Sequence, residues 1–274
     1  MKSFDELISE ALSWRLEGWD FSSLKERWTE SLPPWDYREI VSGQLSTEGS
    51  LLDLGTGGGE LLSSLRPLPR RTYATEGYPP NVPVAKRRLE PLGVEVIQTY
   101  GEDNSRVPQR GSIPFRNESI GLVIDRHESF VASEVFRVLK PSGKFVTQQV
   151  GSSNYRELNE ALGEEEPPSG VRWDLNEAVR QLKEAGFRIV DKREALLKGW
   201  FADVGAVVCY LRAIPWQIAG FAVEGAYEEL RELDKSIRQH GGFQVTATRF
   251  LVQAVKPGAP WPHVASSQTQ SLSG

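Results

Sequence analysis

The sequence predicts a doubly wound α/β fold: a mostly parallel, seven-stranded sheet with helices on both faces, an N-terminal helical cap and a late aromatic-rich insertion. Two observations carry this. From Leu51 onward, short apolar runs alternate with amphipathic stretches, the pattern of strand, helix and strand again. And "LLDLGTGGGE", residues 51–60, ends a stiff aliphatic run in four glycines, as a buried strand does when it turns sharply into a helix.

The elements follow in order. Phe4, Leu7, Ile8, Ala11, Leu12 and Leu16 recur at helical spacing over 3–17, and Leu24, Trp28 and Leu32 continue a second amphipathic pattern. Pro33 and Pro34 stop it, and "PPWDYREIVSGQL" leads through one more short helix into the first core strand. Strands are predicted at 50–54, 71–75, 94–98, 119–125 and 143–150, and helices at 59–66, 81–92 and 129–139, the last closed by the Pro-Gly turn of "LKPSGK". Further on, "NYRELNEALG" reads as a helix, "EEEPPSG" as a solvated loop, 175–185 as an amphipathic helix with Gly186 at its C-cap, and 187–193 as a strand. "WFADVGAVVCYLRAIPWQI" is unusually apolar for a surface connection, His240 sits in the loop "RQHGG", and "FQVTATRFLVQAV", 243–255, reads as the last strand. The predicted division is a cap or lid at 1–45, a core domain at 46–257 with a pocket insertion at 196–222, and a flexible tail at 258–274.

Composition narrows the class. Apolar residues at 39% and charged residues at 25% are ordinary for a globular protein, and no apolar run approaches the roughly 20 residues that span a bilayer, so a membrane partner is not expected. "MKSFDELISE" lacks the basic and apolar segments of a secretory signal, and the single Cys209 excludes an intramolecular disulfide; a cytoplasmic enzyme is the expectation. With 37 acidic against 32 basic residues the net charge is −5, so no global positive field gathers phosphates and nucleic acid is not the expected partner. A homodimer stays open.

The glycine stretch selects its ligand by register. A dinucleotide fingerprint would place a third glycine at Glu60, and no lysine follows to make a P-loop. What stands here is Asp53-x-Gly55-Thr56-Gly57-x-Gly59. An acid inside the loop suits a cationic ligand better than a pyrophosphate, and it can also cap the loop's own amides. Glu76 ends the second strand, "RTYATEGY", where a carboxylate can accept both hydroxyls of a ribose.

With "TYGEDN", "IPFRNESIGLVIDRHE" and "FRVLKPSGKFV", this order of motifs resembles the class I, Rossmann-like S-adenosylmethionine-dependent methyltransferases over roughly residues 35–150. The resemblance implies S-adenosylmethionine as cofactor, with Asp53 near its amino group, Gly55, Thr56, Gly57 and Gly59 in its cradle, and Glu76 on its ribose. It implies that Glu102 or Asp103 faces the adenine amino group, that Asp125 borders the cofactor, and that Tyr37, from the aromatic segment before the first strand, contacts the methionyl carboxylate.

In doubly wound sheets ligands lie beyond the carboxyl ends of the strands, so the methyl acceptor is expected there. "VIDRHESF" ends the fourth strand. His127 is a candidate general base, or a residue that only bonds a neighbour or orients the methionyl carboxylate, and Arg126 either pairs with Asp125 or binds an acidic acceptor. Gln148, Gln149 and Asn154 end the fifth strand, and Trp35, Trp200 and Trp216 complete a candidate substrate pocket. Trp14, Trp19, Trp28, Phe201 and Tyr210 join them in two aromatic additions expected to form a lid. No residue cluster has metal-ligand spacing, and no metal is expected. The expected activity is methyl transfer to a small molecule; methylation of RNA, or cofactor binding without turnover, are the competing readings.

Overall fold

Leu51, Leu52, Asp53 and Leu54 are all buried, as a strand enclosed on both faces requires. In the computed structural model, which describes residues 2–16, 21–46, 49–99, 112–164 and 172–258, this strand lies near the centre of a sheet. In chain order the elements are α1 (Phe4–Ser13), β1 (Trp28–Glu30), α2 (Tyr37–Ser42), β2 (Ser50–Leu54), α3 (Glu60–Ser64), β3 (Arg71–Glu76), α4 (Asn81–Leu89), β4 (Glu95–Gln98), β5 (Ile120–Arg126), α5 (Ala132–Val138), β6 (Leu139–Val150), α6 (Arg156–Ala161), α7 (Leu175–Glu184), β7 (Arg188–Phe201), α8 (Val204–Ala213), α9 (Tyr227–His240) and β8 (Phe243–Val255).

The described residues form one eight-stranded sheet in the order β1-β7-β8-β6-β5-β2-β3-β4. The run from β4 to β6 is parallel, and β8 inserts antiparallel between β6 and β7. All seven expected strands are present, but β6 begins at Leu139 and so takes in the "LKPSGK" segment expected as a turn, because α5 stops at Val138 and Leu139 already pairs with Ile120. The eighth, β1, corrects the reading of Leu24, Trp28 and Leu32 as a helix: Ser22–Leu24 is a single 3-10 turn, and Trp28, Thr29 and Glu30 pair antiparallel with Phe201, Trp200 and Gly199. The edge of β7 offered backbone partners there, and tertiary pairing overrides a short helical spacing.

A second correction concerns 196–222. The strand expected at 187–193 runs on to Phe201, and the apolar stretch after it is the buried helix α8, begun by Asp203, which accepts from the Ala206 amide at 2.9 Å. Arg249 on β8 pairs with both Val150 and Ala195, so the paired runs 196–201 and 243–248 project past the end of β6. At about 3.3 Å per residue the projection is on the order of 20 Å. Around it Leu7, Ile8, Phe201, Val207, Leu230 and Val245 form a core of their own, distinct from the two cores that line the faces of the sheet. The predicted N-terminal cap is therefore one part of a larger body shared by α1, β1, α6, α8, α9 and the β7–β8 arm. His240 closes α9 instead of lying in a loop. Of the tail expected to be flexible, only Gly258 is among the described residues.

Half-buried ion pairs fix this body to the N-terminal segment. Arg249 donates to both oxygens of Glu30 at 2.7 Å, and Arg27 grips Asp203 through Nε at 2.7 Å and Nη2 at 2.6 Å. Trp28 stacks on Phe201 with centroids 6.2 Å apart, and Trp14 on Phe21 at 6.4 Å. These aromatics pack with one another. Among the described residues no helix is long and apolar enough to cross a membrane.

Candidate active site

The loop after β2 turns in three left-handed steps, with φ of +60° at Gly55, +62° at Gly57 and +81° at Gly59, a conformation that side chains resist. A Cβ at Gly59 would stand 2.7 Å from Cγ of Leu89, so the loop is also held against α4. It is stitched to β3: the Thr56 amide donates to the Thr75 carbonyl at 2.8 Å and the Gly57 amide to Oε2 of Glu76 at 2.6 Å. Oε1 of Glu76 accepts from the Tyr78 amide at 2.7 Å, and each carboxylate oxygen keeps a further lone pair. Asp53 accepts from the Thr56 hydroxyl at 2.7 Å, which makes local capping one of its roles.

Asp125, one residue before the end of β5, has its side chain fully buried. Its Oδ1 accepts from the Glu128 amide at 3.1 Å, and Nε2 of Gln149 lies 3.2 Å from both its oxygens. Glu128, not singled out from the sequence, packs its carboxyl against Gly55, where a Cβ would collide with it. Four carboxyl groups thus ring the glycine loop. Desolvation raises all of them: Asp53 and Glu76 to about 7, Asp125 well above the usual carboxylate range, and Glu128 upward. Mutual repulsion adds to this, Glu76 acting on Asp53, and Glu128 on both Glu76 and Asp125.

Arg126 is exposed and makes no hydrogen bond or ion pair among the described residues; its expected alternative pairing with Asp125 does not form. His127 adopts a left-handed φ of +68°, and its amide donates to the Gln148 carbonyl at 2.8 Å. Its side chain ends a relay. The Trp35 indole N–H donates to Oε1 of Gln148 at 2.8 Å, and Nε2 of that carboxamide lies 3.0 Å from Nε2 of His127. An indole N–H only donates, so it fixes the carboxamide, which must then present N–H to the imidazole. His127 therefore accepts at Nε2 and carries its proton on Nδ1. Desolvation, then the charges of Arg249 and Arg126, hold its pKa well below the ordinary histidine value. Because the residue keeps an exposed face, the two guanidiniums are the firmer cause. With Nε2 occupied, this arrangement leaves no free lone pair for the general base expected at His127.

Tyr37 follows Asp36, which caps α2 by accepting from the Glu39 amide at 3.0 Å. The Tyr37 hydroxyl lies 2.9 Å from the Asp125 carbonyl and 3.1 Å from that of Val146, and accepts from the Asp125 amide at 3.1 Å. Its place is the joint of β5 and β6, and these bonds commit the hydroxyl to the strands. Asn154 is a hub of the cap: its Oδ1 accepts from Arg249 at 2.7 Å and from the Thr248 amide at 3.1 Å. Trp200, paired with Gln244 at the far side of the sheet, covers Gly242, and Trp216 is exposed beyond α8; neither is brought to the glycine loop. Tyr78, exposed over 61% of its surface just past Glu76, is an aromatic platform that the sequence reading did not single out. Glu102 and Asp103 lie outside the described residues. A shallow cavity lined by Lys183, Phe187, Val190 and Pro257 sits at the opposite, amino edge of β7 and includes none of these groups.

Residues 52–147 match the family model described as "Methyltransferase domain". No curated protein matches the chain. Among solved structures, one titled a putative methyltransferase from Bacillus halodurans C-125 is similar at 19% identity, covering 81% of this chain and 99% of its own, with a TM-score of 0.56. The YcgJ protein from Bacillus subtilis is similar at 18% identity with the same coverage and a TM-score of 0.54. A functionally unknown protein from Deinococcus radiodurans R1 has 16% identity over 84% of this chain and 92% of its own, with a TM-score of 0.53. At such identities the likeness is one of fold, and the family model adds that residues 52–147 of this chain match a methyltransferase domain, set in a sheet consistent with the class I, Rossmann-like kind.

Proposed function

We propose that the protein transfers a methyl group from S-adenosylmethionine to a small-molecule acceptor bound between the glycine loop and the cap. The observation that carries the reading is the ring of four carboxyls, Asp53, Glu76 and Asp125 buried and Glu128 half-buried, whose proton affinity is raised by desolvation and then by mutual repulsion, which a bound cation would offset. A sulfonium and an ammonium supply that cation, and a pyrophosphate would add to the repulsion. The residues fit the cofactor in kind. Glu76 is held rigid by two amides with lone pairs to spare for ribose hydroxyls, Tyr78 offers a face to a base, and the left-handed glycines keep side chains out of the cradle.

When bound, the cofactor supplies an electrophilic methyl group on its sulfonium. The chain's own work is then alignment at attack distance and exclusion of water. β5 and β6 are locked at their carboxyl ends by Tyr37 and Gln149, so groups mounted there keep fixed positions. The small-molecule reading rests on the net charge of −5 and on the packed body beside the site. Calorimetry with S-adenosylhomocysteine, NAD and ATP tests the cofactor: binding of the first alone is expected, and equal affinity for NAD would overturn the reading. Release of S-adenosylhomocysteine over a panel of small acceptors and RNA transcripts then tests the acceptor class, and turnover on transcripts alone would overturn the small-molecule assignment.

A further inference from the structure

Consecutive strand residues send their side chains to opposite faces, but the left-handed turn at His127 ends that alternation at the carboxyl end of β5. Two hydrogen-bond donors are left there. The Arg126 guanidinium has donors only and no protein acceptor among the described residues. His127, made an acceptor at Nε2 by Gln148, must donate from Nδ1, which also meets no protein acceptor among them. The nearby acids are engaged elsewhere: Asp53 with Thr56, Asp125 with Gln149, and Glu128 with the Ser129 amide at 3.2 Å.

Resting on the methyl-transfer reading, we propose that Arg126 and the Nδ1–H of His127 together bind a carboxylate, and that this carboxylate belongs to the methyl acceptor. One fixed positive charge and two donors match a carboxylate's two oxygens. Position favours the acceptor over the amino-acid end of the cofactor. The glycine loop and Glu76 follow β2 and β3 on one side of β5, whereas the groups that surround the His127 ring, Gln148 and Arg249, come from β6 and β8 on the other side, toward the cap. The Arg126 charge acts on Asp53 beside the glycine loop as well as on His127, so the pair stands between the loop and the cap. His127 acts here as a donor that reads the acceptor.

The test uses the full chain saturated with S-adenosylhomocysteine, with benzoate as probe and benzamide as its uncharged counterpart. Nitrogen-15 spectra of the histidines should show His127 protonated at Nδ1 and bare at Nε2, and benzoate but not benzamide should shift the Nδ1–H signal. Arg126→Gln should weaken benzoate binding about tenfold to a hundredfold, the range for a lost hydrogen bond to a charged group. It should leave the affinities for S-adenosylhomocysteine and for 5′-methylthioadenosine, which lacks the amino-acid end, unchanged. If Arg126→Gln weakens the first of these nucleosides and not the second, the carboxylate is the cofactor's and the acceptor assignment falls. A bare Nδ1, or no response to benzoate, acetate or succinate, would also overturn the proposal. Failure of the wild-type protein to bind S-adenosylhomocysteine is a separate result, and it overturns the reading beneath.

Discussion

The indole N–H of Trp35 lies 2.8 Å from Oε1 of Gln148, and this one bond, 113 positions apart in sequence, decides what His127 can do. It orients a carboxamide that would otherwise turn freely, and so assigns a donor and an acceptor to the two imidazole nitrogens. Trp35→Phe keeps an aromatic ring, removes the N–H and leaves part of the indole's buried volume empty. The buried Oε1 is left without its donor, so stability should fall by about 1–3 kcal/mol in chemical denaturation. The nitrogen-15 signals of His127 should then show both tautomers, and a single unchanged tautomer would mean that Trp35 does not set it.

Stability without ligand should decline as pH rises. Asp53 and Glu76 hold their protons to about 7 in the folded chain, against ordinary values of 3.8 and 4.5. The folded state thus binds these protons more tightly than the unfolded state. Their contribution is fully present below about pH 4 and is lost as pH rises through about 7, on the order of a few kcal/mol at about 1.4 kcal/mol per pKa unit. Asp53→Asn and Glu76→Gln should flatten the decline measured by urea denaturation. Affinity for a cationic ligand should climb over the same window, because it favours the ionised carboxyls.

Glu76→Ala should weaken S-adenosylhomocysteine binding by about 1.5–3 kcal/mol in calorimetry, the worth of hydrogen bonds to a charged acceptor. The same change frees the amides of Gly57 and Tyr78. Amide exchange at Gly57 should therefore accelerate in the variant, and unchanged affinity would place the nucleoside elsewhere.

The Glu30–Arg249 pair should anchor β1 whether or not ligand is bound. Their side chains are only 20% and 11% exposed, so Glu30→Ala, which strands the guanidinium in the cap, should cost about 3–5 kcal/mol. Hydrogen exchange over 21–40 and 196–222 should be equal with and without S-adenosylhomocysteine, since Gln217 is also tied to Asn159 at 2.7 Å and to the Asn154 carbonyl at 2.8 Å. Protection gained on binding would restore these segments as a lid.

Legibility followed the range of the forces. The strands stood out because each is a short apolar run closed by local turn chemistry, and 243–255 was read to the residue. The glycine loop and Glu76 were readable because their spacing is local to one strand, turn and strand unit. Misreadings came where a distant partner decided. Trp28 is spaced for a helix and paired as a strand because β7 is there, and Leu196 continues a strand because β8 runs beside it. His127 was named from its type and position, but its tautomer depends on Gln148 and Trp35, which no local pattern links to it. Glu128 stands in a run of four ionisable residues, Asp125 to Glu128, at a strand end, and that density was the available signal.

β8 is the last strand among the described residues and an interior strand in space, welded to β6 on one side and β7 on the other. During synthesis, the elements it joins must wait. Until residues 243–255 emerge, β6 has a bare edge, the β7 arm has no partner, and α1 and β1, made some two hundred residues earlier, have only part of the surface they will cover. A nascent chain therefore carries its N-terminal apolar faces exposed for most of translation, in the care of whatever shields them. Its cap closes in one late step, so a chain cut before Phe243 loses both the cap and a sheet edge at once.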